Sequence, residues 1–238
     1  MGRADDPAIG NVSYSEPMTI RTGDALRDAI DRMVCSRTNY WVAMVIDLVA
    51  APAFLVVGVR RFSGSAVLAV LVVVAAFLAW GLFEYVLHRW GLHGPFLILR
   101  RGHAKHHAAP RALISTPLFL VALSALAVWG LLRVLLPAGI PGLAVGGLYV
   151  GYNYFALIHH AQHHHGRQLA AVARWKRGER FHLVHHHQQA VNFGITTTLW
   201  DRVFGTYQAV GEPAVTRAAW SAFRLYWVKL MRRTTATS

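Results

Sequence analysis

Residues 88–107 read HRWGLHGPFLILRRGHAKHH, residues 159–165 read HHAQHHH, and residues 182–187 read HLVHHH. All 14 histidines of the chain lie between His88 and His187, in four clusters. His88 and His93 form H-x4-H; His103, His106 and His107 form H-x2-HH; His159 and His163 form H-x3-H; His182, His185 and His186 form a second H-x2-HH. The first two clusters follow one long apolar run, and the last two follow another. This order predicts an all-α integral membrane protein that carries a polyhistidine metal site at one face of the bilayer.

Composition agrees. The 238 residues are 55% hydrophobic with mean hydropathy +0.35, and only 15% are charged, against about 25% in an ordinary soluble domain. Four apolar runs read as spans: residues 41–59, the weakest because they hold Asp47 and Pro52 and expected to insert as a hairpin with the next, then residues 65–87, 113–136 and the short, Gly-rich 142–158. About 20 apolar residues cross a bilayer. Asp47 inside the first run needs a polar partner. Gly146, Gly147 and Gly151 in the fourth let helix backbones approach closely.

The basic residues fix an orientation. Arg89, Arg100, Arg101, Lys105 and Arg111 fall between the second and third runs, and 11 Lys and Arg follow residue 159. Basic loops stay cytoplasmic, so both termini and every histidine cluster are expected inside. Arg60 and Arg61, between the first two runs, go against that rule. Trp41, Trp80, Trp90 and Trp129 fall near span ends, as an aromatic belt would. The net charge of +13 lies beside apolar runs, so anionic lipid headgroups are its expected counter-charge and nucleic acid is not. A bacterial plasma membrane fits this charge and the lack of an organelle-retrieval signal. No cleavable signal peptide is expected, because apolar sequence starts only near Trp41. Lone Cys35 excludes a cysteine-based metal site.

Amphipathic helices are expected at both ends. Leu26, Ile30, Met33 and Val34 make one stripe over residues 24–37, and Trp220, Phe223, Trp227, Leu230 and Met231 make another. Each reads as a membrane-surface helix or a packing helix. Residues 1–40 are thus expected to be an N-terminal tail with an interfacial helix, 41–210 the transmembrane domain that carries the histidines, and 211–238 a basic amphipathic tail.

The histidine spacing carries the chemistry. Residues three and four apart share a helix face, so His103, His106 and His107 are expected to aim at one point, as are His182, His185 and His186. His88 and His93 would splay by about 140° on a straight helix; an end at Gly91 would let His93 turn back. Ten imidazoles suit two metals with about five ligands each. Without cysteine, zinc and non-haem iron remain, and so many neutral donors beside lipid favour oxygen activation over hydrolysis. Glu84, one turn before His88, is placed either to accept an imidazole N–H or to make a structural hydrogen bond within the bundle. His160, His164, His165 and His187 are expected in solvent or behind the ligands, and Asp201 as a cap on local backbone.

The order HRWGLH, HAKHH, HHAQHH, HLVHH, then NFGITTTLWDRVFGT at 192–206, resembles the fatty acid hydroxylase / sterol desaturase superfamily over about residues 65–210. The resemblance implies a four-helix transmembrane bundle with a cytosolic helical cap. It implies His88, His93, His103, His106, His107, His159, His163, His182, His185 and His186 as ligands of two iron ions, with zinc able to replace iron in purified protein. It also implies O2 as co-substrate and hydroxylation or desaturation of a lipid. Asn192 stands at the family's NFG element, near the site. His160 departs from the family, which often has an aromatic there. No His-Pro-Gly-Gly motif marks a fused haem domain, so electrons are expected from a separate donor, a ferredoxin or a cytochrome b5-type protein, docked on the basic face. The alternatives on the same residues are a lipid desaturase, a carotenoid ring hydroxylase, or a metal-binding membrane protein without redox turnover. The last should show polar residues along its spans, and the third and fourth runs have almost none.

Overall fold

A computed structural model describes residues 22–165 and 172–209. It is all-helical, without a strand among the described residues. Helix α1 (Thr22–Val34) breaks at Cys35, and Ser36 caps α2 (Arg37–Arg61) by accepting from Asn39 N at 3.3 Å. Ser65 caps α3 (Ala66–Val86) in the same way. A π-helical turn (Leu87–Leu92) continues α3 without interruption. Then come α4 (Leu97–Ala108), α5 (Leu120–Leu135), α6 (Ile140–His164), α7 (Ala173–His187) and α8 (Leu199–Val203).

Segments Arg37–Arg61 and Ala66–Leu92 are long and apolar enough to cross a membrane. Their apolar side chains face outward: Val49 is 62% exposed, Val67 69% and Leu78 64%. The core helix of a soluble protein would bury such residues, so a lipid surround accounts for them. Helix α5 is apolar but only 16 residues long and starts later than the run at 113. Pro117 disfavours helix in the residue before it. The buried Asn39 also holds the segment ahead of α5 in open form, donating to Ser115 Oγ and Thr116 O and accepting from Leu118 N. Helix α6 runs past the apolar stretch 142–158 to His164.

Helix α6 lies against both long apolar helices. A Cβ on Gly142 would stand 2.6 Å from Gly58 Cα of α2, and one on Gly147 would stand 2.5 Å from Val73 O of α3. Backbone touches backbone, as the small residues predict. Asp47 finds its polar partner here: Tyr149 OH donates to it at 2.7 Å, and Asn153 Nδ2 donates to its carbonyl at 3.0 Å. Trp80 is buried against Gly151, Tyr152 and Phe155. It belongs to the helix interface and not to an outward aromatic belt.

Helix α1 is tied to α4, where Asp31 pairs with Arg101 at 2.8 Å and Lys105 at 3.0 Å. Leu26, on its predicted stripe, stays exposed. The amphipathic stripe at 220–231 lies outside the described residues.

Candidate metal centre

The end of α3 sets the first pair of imidazoles. His93 N donates to His88 O at 3.1 Å, an i→i−5 bond. A π turn stacks residues five apart on one face, so both rings point the same way. The expected helix end at Gly91 does not occur; the wider turn does its work.

Helices α4 and α7 each divide their H-x2-HH cluster. On α4 the directions of His106 and His107 differ by about 100° around the axis, on either side of His103. His103 and His107 face one way and His106 the other. On α7, His182 and His186 share a face and His185 leaves it. The expectation that each triplet aims at one point is therefore corrected. The ten histidines form two sets of five whose ligand atoms all lie within 4.8 Å of one another: His88, His93, His103, His107 and His185 in the first centre, and His106, His159, His163, His182 and His186 in the second. Each centre takes an i,i+4 pair from one of α4 and α7, one histidine from the other, and two from the end of α3 or of α6. The centres adjoin, with the His107 and His186 rings stacked at 4.3 Å.

The donor geometry fits a metal ion in each centre. In the first, Nε2 of His103 lies 3.0, 2.9 and 3.0 Å from Nε2 of His88, His93 and His107. One imidazole nitrogen carries at most one proton, so these contacts cannot all be hydrogen bonds. His88 Nδ1 faces the Phe193 carbonyl and His185 Nδ1 the Val191 carbonyl at 2.8 Å. A carbonyl only accepts, so those two rings carry their proton on Nδ1 and turn a bare Nε2 lone pair inward. In the second centre, neighbouring Nε2 atoms stand 2.8–3.2 Å apart. Metal–nitrogen bonds of about 2.1 Å at right angles would place ligand atoms about 3.0 Å apart. Neither centre contains a carboxylate.

Electrostatics favour neutral imidazoles. Burial, then repulsion from neighbouring histidines, pushes His106 down to about 2, His186 to about 3 and His93 to about 4, and holds His103, His182 and His185 well below the usual imidazole range. At neutral pH their lone pairs are free for a cation.

The NFG element acts behind the ligands. Asn192 is fully buried at φ 53°, in the left-handed region. Its side chain accepts from Gln208 N at 2.8 Å and donates to Gln208 O at 2.9 Å. Its two neighbours supply the carbonyls that orient His185 and His88. Asp201 does more than cap its own turn: it accepts from Phe193 N, Gly194 N and Thr206 Oγ1 at 2.7–2.8 Å. Burial pushes its carboxyl up and these bonds oppose the rise. Of the two roles expected for Glu84, the structural bond is the one present, and no imidazole N–H reaches it. It accepts from Ile195 N, Thr196 N and Thr196 Oγ1, pinning the same loop to α3.

His160 belongs to neither centre; its Nδ1 lies 2.7 Å from Tyr40 OH and its ring stacks on His164. His164 and His165 also stay outside, and His187 is exposed. Sequence reasoning missed Tyr40 and the Val191 and Phe193 carbonyls. Only the NFG element hinted at the last two. A crevice of about 30 Å³ beside Tyr40, Ile114 and His160 reaches His106, His159 and His163.

The fatty acid hydroxylase model matches residues 73–206, which include all ten histidines of the two centres. The chain belongs to the fatty acid hydroxylase family. Among members of this family, it is 32% identical over 155 residues to a dihydroceramide fatty acyl 2-hydroxylase of Arabidopsis thaliana, covering 60% of this chain and 63% of that one. It is 30% identical to the fatty acid 2-hydroxylase of Rattus norvegicus, covering 56% of this chain and 38% of that one. It is 28% identical to a ceramide very long chain fatty acid hydroxylase of Saccharomyces cerevisiae, covering 89% and 52%. The chain thus spans less than two thirds of the length of these relatives. A solved structure of full-length scs7p, with only the hydroxylase domain visible, shares the fold. Its TM-score is 0.62 at 22% identity, over 79% of this chain and 72% of that one.

Proposed function

We propose that this chain is a membrane-embedded di-iron oxygenase that hydroxylates an unactivated C–H bond of a lipid acyl chain. The observation that carries this reading is the pair of adjoining five-imidazole centres, each with Nε2 atoms converging at ligand spacing. Zinc suits the same donors but has no redox chemistry, and the activity of the named relatives requires it. Those relatives act on fatty acyl groups at the 2-position or on very long chain ceramide acyl groups. This favours an acyl chain over a sterol or isoprenoid, and the carbon beside the carbonyl.

When bound, the two irons supply the activation of O2: one oxygen atom enters the C–H bond and the other leaves as water, with two protons and two electrons from a separate donor. The chain's own residues do the rest. The ten histidines hold the ions with neutral donors. Val191 and Phe193 orient His185 and His88, and Asp201, Glu84 and Asn192 keep those carbonyls in place. Burial of His88, His106, His182 and His185 shields the inner side of the centres from bulk water.

In this reading α2, α3, α5 and α6 cross the bilayer, and α4, α7 and α8 form a cytoplasmic cap over it. The basic surface of the cap, including Arg100, Lys176, Arg177 and Arg180, faces an acidic ferredoxin or cytochrome b5-type donor. The test is lipid mass spectrometry of cells expressing the chain under 18O2. Acyl chains that gain one labelled oxygen, absent with His185→Ala, support the hydroxylase. Acyl chains that lose two hydrogens and gain no label would overturn it in favour of a desaturase.

A further inference from the structure

At the end of the bundle opposite the histidine centres, a cleft of about 160 Å³ opens between the C-terminal ends of α2 and α5 and the start of α6. Its lining includes Arg61, Arg133, Trp129, Val57, Leu136 and Gly139. We propose that this cleft binds the phosphate of an anionic phospholipid headgroup.

Two guanidinium groups from different helices line one cavity. Arg61 ends α2, and Arg133 lies in the last turn of α5, its guanidinium 4.8 Å over the Trp129 ring. That stacking fixes one donor fork at the cleft wall. Neither arginine has a carboxylate partner among the described residues, whereas Arg101 and Lys105 both pair with Asp31. The sequence explains why: there is no acidic residue between Asp47 and Glu84, nor between Glu84 and Glu179. The start of α6, without a side-chain cap, adds the positive end of its dipole. The C-terminal dipole ends of α2 and α5 offset part of this charge, but no carboxylate among the described residues pairs with either guanidinium, whose fork geometry suits phosphate.

Position selects a lipid as the source. Along α2, Arg61 lies about 32 Å from Tyr40 at 1.5 Å per residue, and Tyr40 touches His160 beside the second centre. A bilayer's hydrocarbon core is about 30 Å thick, so the cleft falls at headgroup level on the far face. Exposed apolar side chains stand at the same level of α2 and α5, outside the lining: Val59 is 63% exposed, Val134 83% and Leu135 66%. They would contact acyl chains while the arginines hold the phosphate. The same site accounts for Arg61 lying against the rule that keeps basic residues cytoplasmic. Arg61 serves a bound anion, and Arg60 is not among the lining residues.

The test uses the full chain in neutral detergent, with thermal unfolding read during titration of phosphatidylglycerol, phosphatidylcholine or inorganic phosphate. Phosphatidylglycerol should raise the unfolding midpoint saturably, and the other two should not at equal concentration. Arg61→Gln with Arg133→Gln should weaken the apparent affinity roughly thirtyfold, from the worth of two basic side chains near an anionic surface. Arg133→Gln alone should weaken it less, and Arg60→Gln should leave it unchanged. Metal content should not change in any of these variants, which separates this site from the proposed oxygenase. Equal protection of the parent and the double variant would overturn the site. Equal protection by inorganic phosphate would overturn the lipid as its ligand.

Discussion

Asn192→Ala should loosen one metal centre and spare the other. The loop at 191–193 supplies the carbonyls facing His185 Nδ1 and His88 Nδ1, and both histidines belong to the first centre. No histidine of the second centre bonds to that loop. Alanine removes the two bonds to Gln208 and a longer one to Phe181 O. These are worth about 2–3 kcal/mol together at roughly 1 kcal/mol each. Alanine at φ 53° costs about 1 kcal/mol more, so the variant should lose about 3–4 kcal/mol of stability. Asn192→Gly removes the same bonds without the backbone cost and should lose about 1 kcal/mol less. Losing the orienting partner of a ligand typically costs 10–100-fold in metal affinity. A chelator titration followed by elemental analysis should therefore show two metals released together from the parent, and one released 10–100-fold earlier from Asn192→Ala. Release of both metals at the parent's chelator concentration, or of both together at a lower one, would refute the assignment of this loop to the first centre.

His106→Ala and His107→Ala, neighbours in sequence, should each weaken a different metal, and Mössbauer spectra of iron-57 protein should lose different components; loss of the same component would refute the partition. Gly147→Leu places side chain where Val73 O already stands; overpacking of this kind costs about 1–3 kcal/mol or more, so its unfolding midpoint should fall, while Gly130→Leu, with open space around it, should stay near the parent. Acid should destabilise the metal-stripped protein. Imidazoles of the unfolded chain titrate near 6.5, whereas burial holds His93 at about 4 and His186 at about 3. The unfolded chain then binds more protons below 6.5, so this stability is complete above that pH and declines toward pH 4. An unfolding midpoint that stays flat from pH 7.5 to 4.5 would contradict this.

The helices and the residues that gather at the centres were legible because helix periodicity and ligand chemistry are local. His103 and His107 at i,i+4, the small residues of α6 and the need of Asp47 for a partner all follow from sequence alone. The partition of each H-x2-HH cluster was not legible. Spacing shows that His106 and His107 diverge, but only the packing of α4 between α7 and the ends of α3 and α6 gives each direction a destination. The π turn was hidden too, since H-x4-H alone does not distinguish a helix end from a widened turn. For Glu84 the sequence shows only the histidine one turn away and cannot name the partner of a structural bond. Its actual partners, Ile195 and Thr196, are more than a hundred residues distant. Tyr40 and His160 met for the same kind of reason, across 120 residues.

The most direct test of the central claim is the metal content of detergent-purified full-length chain from iron-supplemented cells, by elemental mass spectrometry, with His185→Ala and His182→Ala beside it. Two iron ions per parent chain, and loss of one from a different centre in each variant, is the predicted result. Less than one metal ion per parent chain after anaerobic reconstitution with ferrous iron would contradict it.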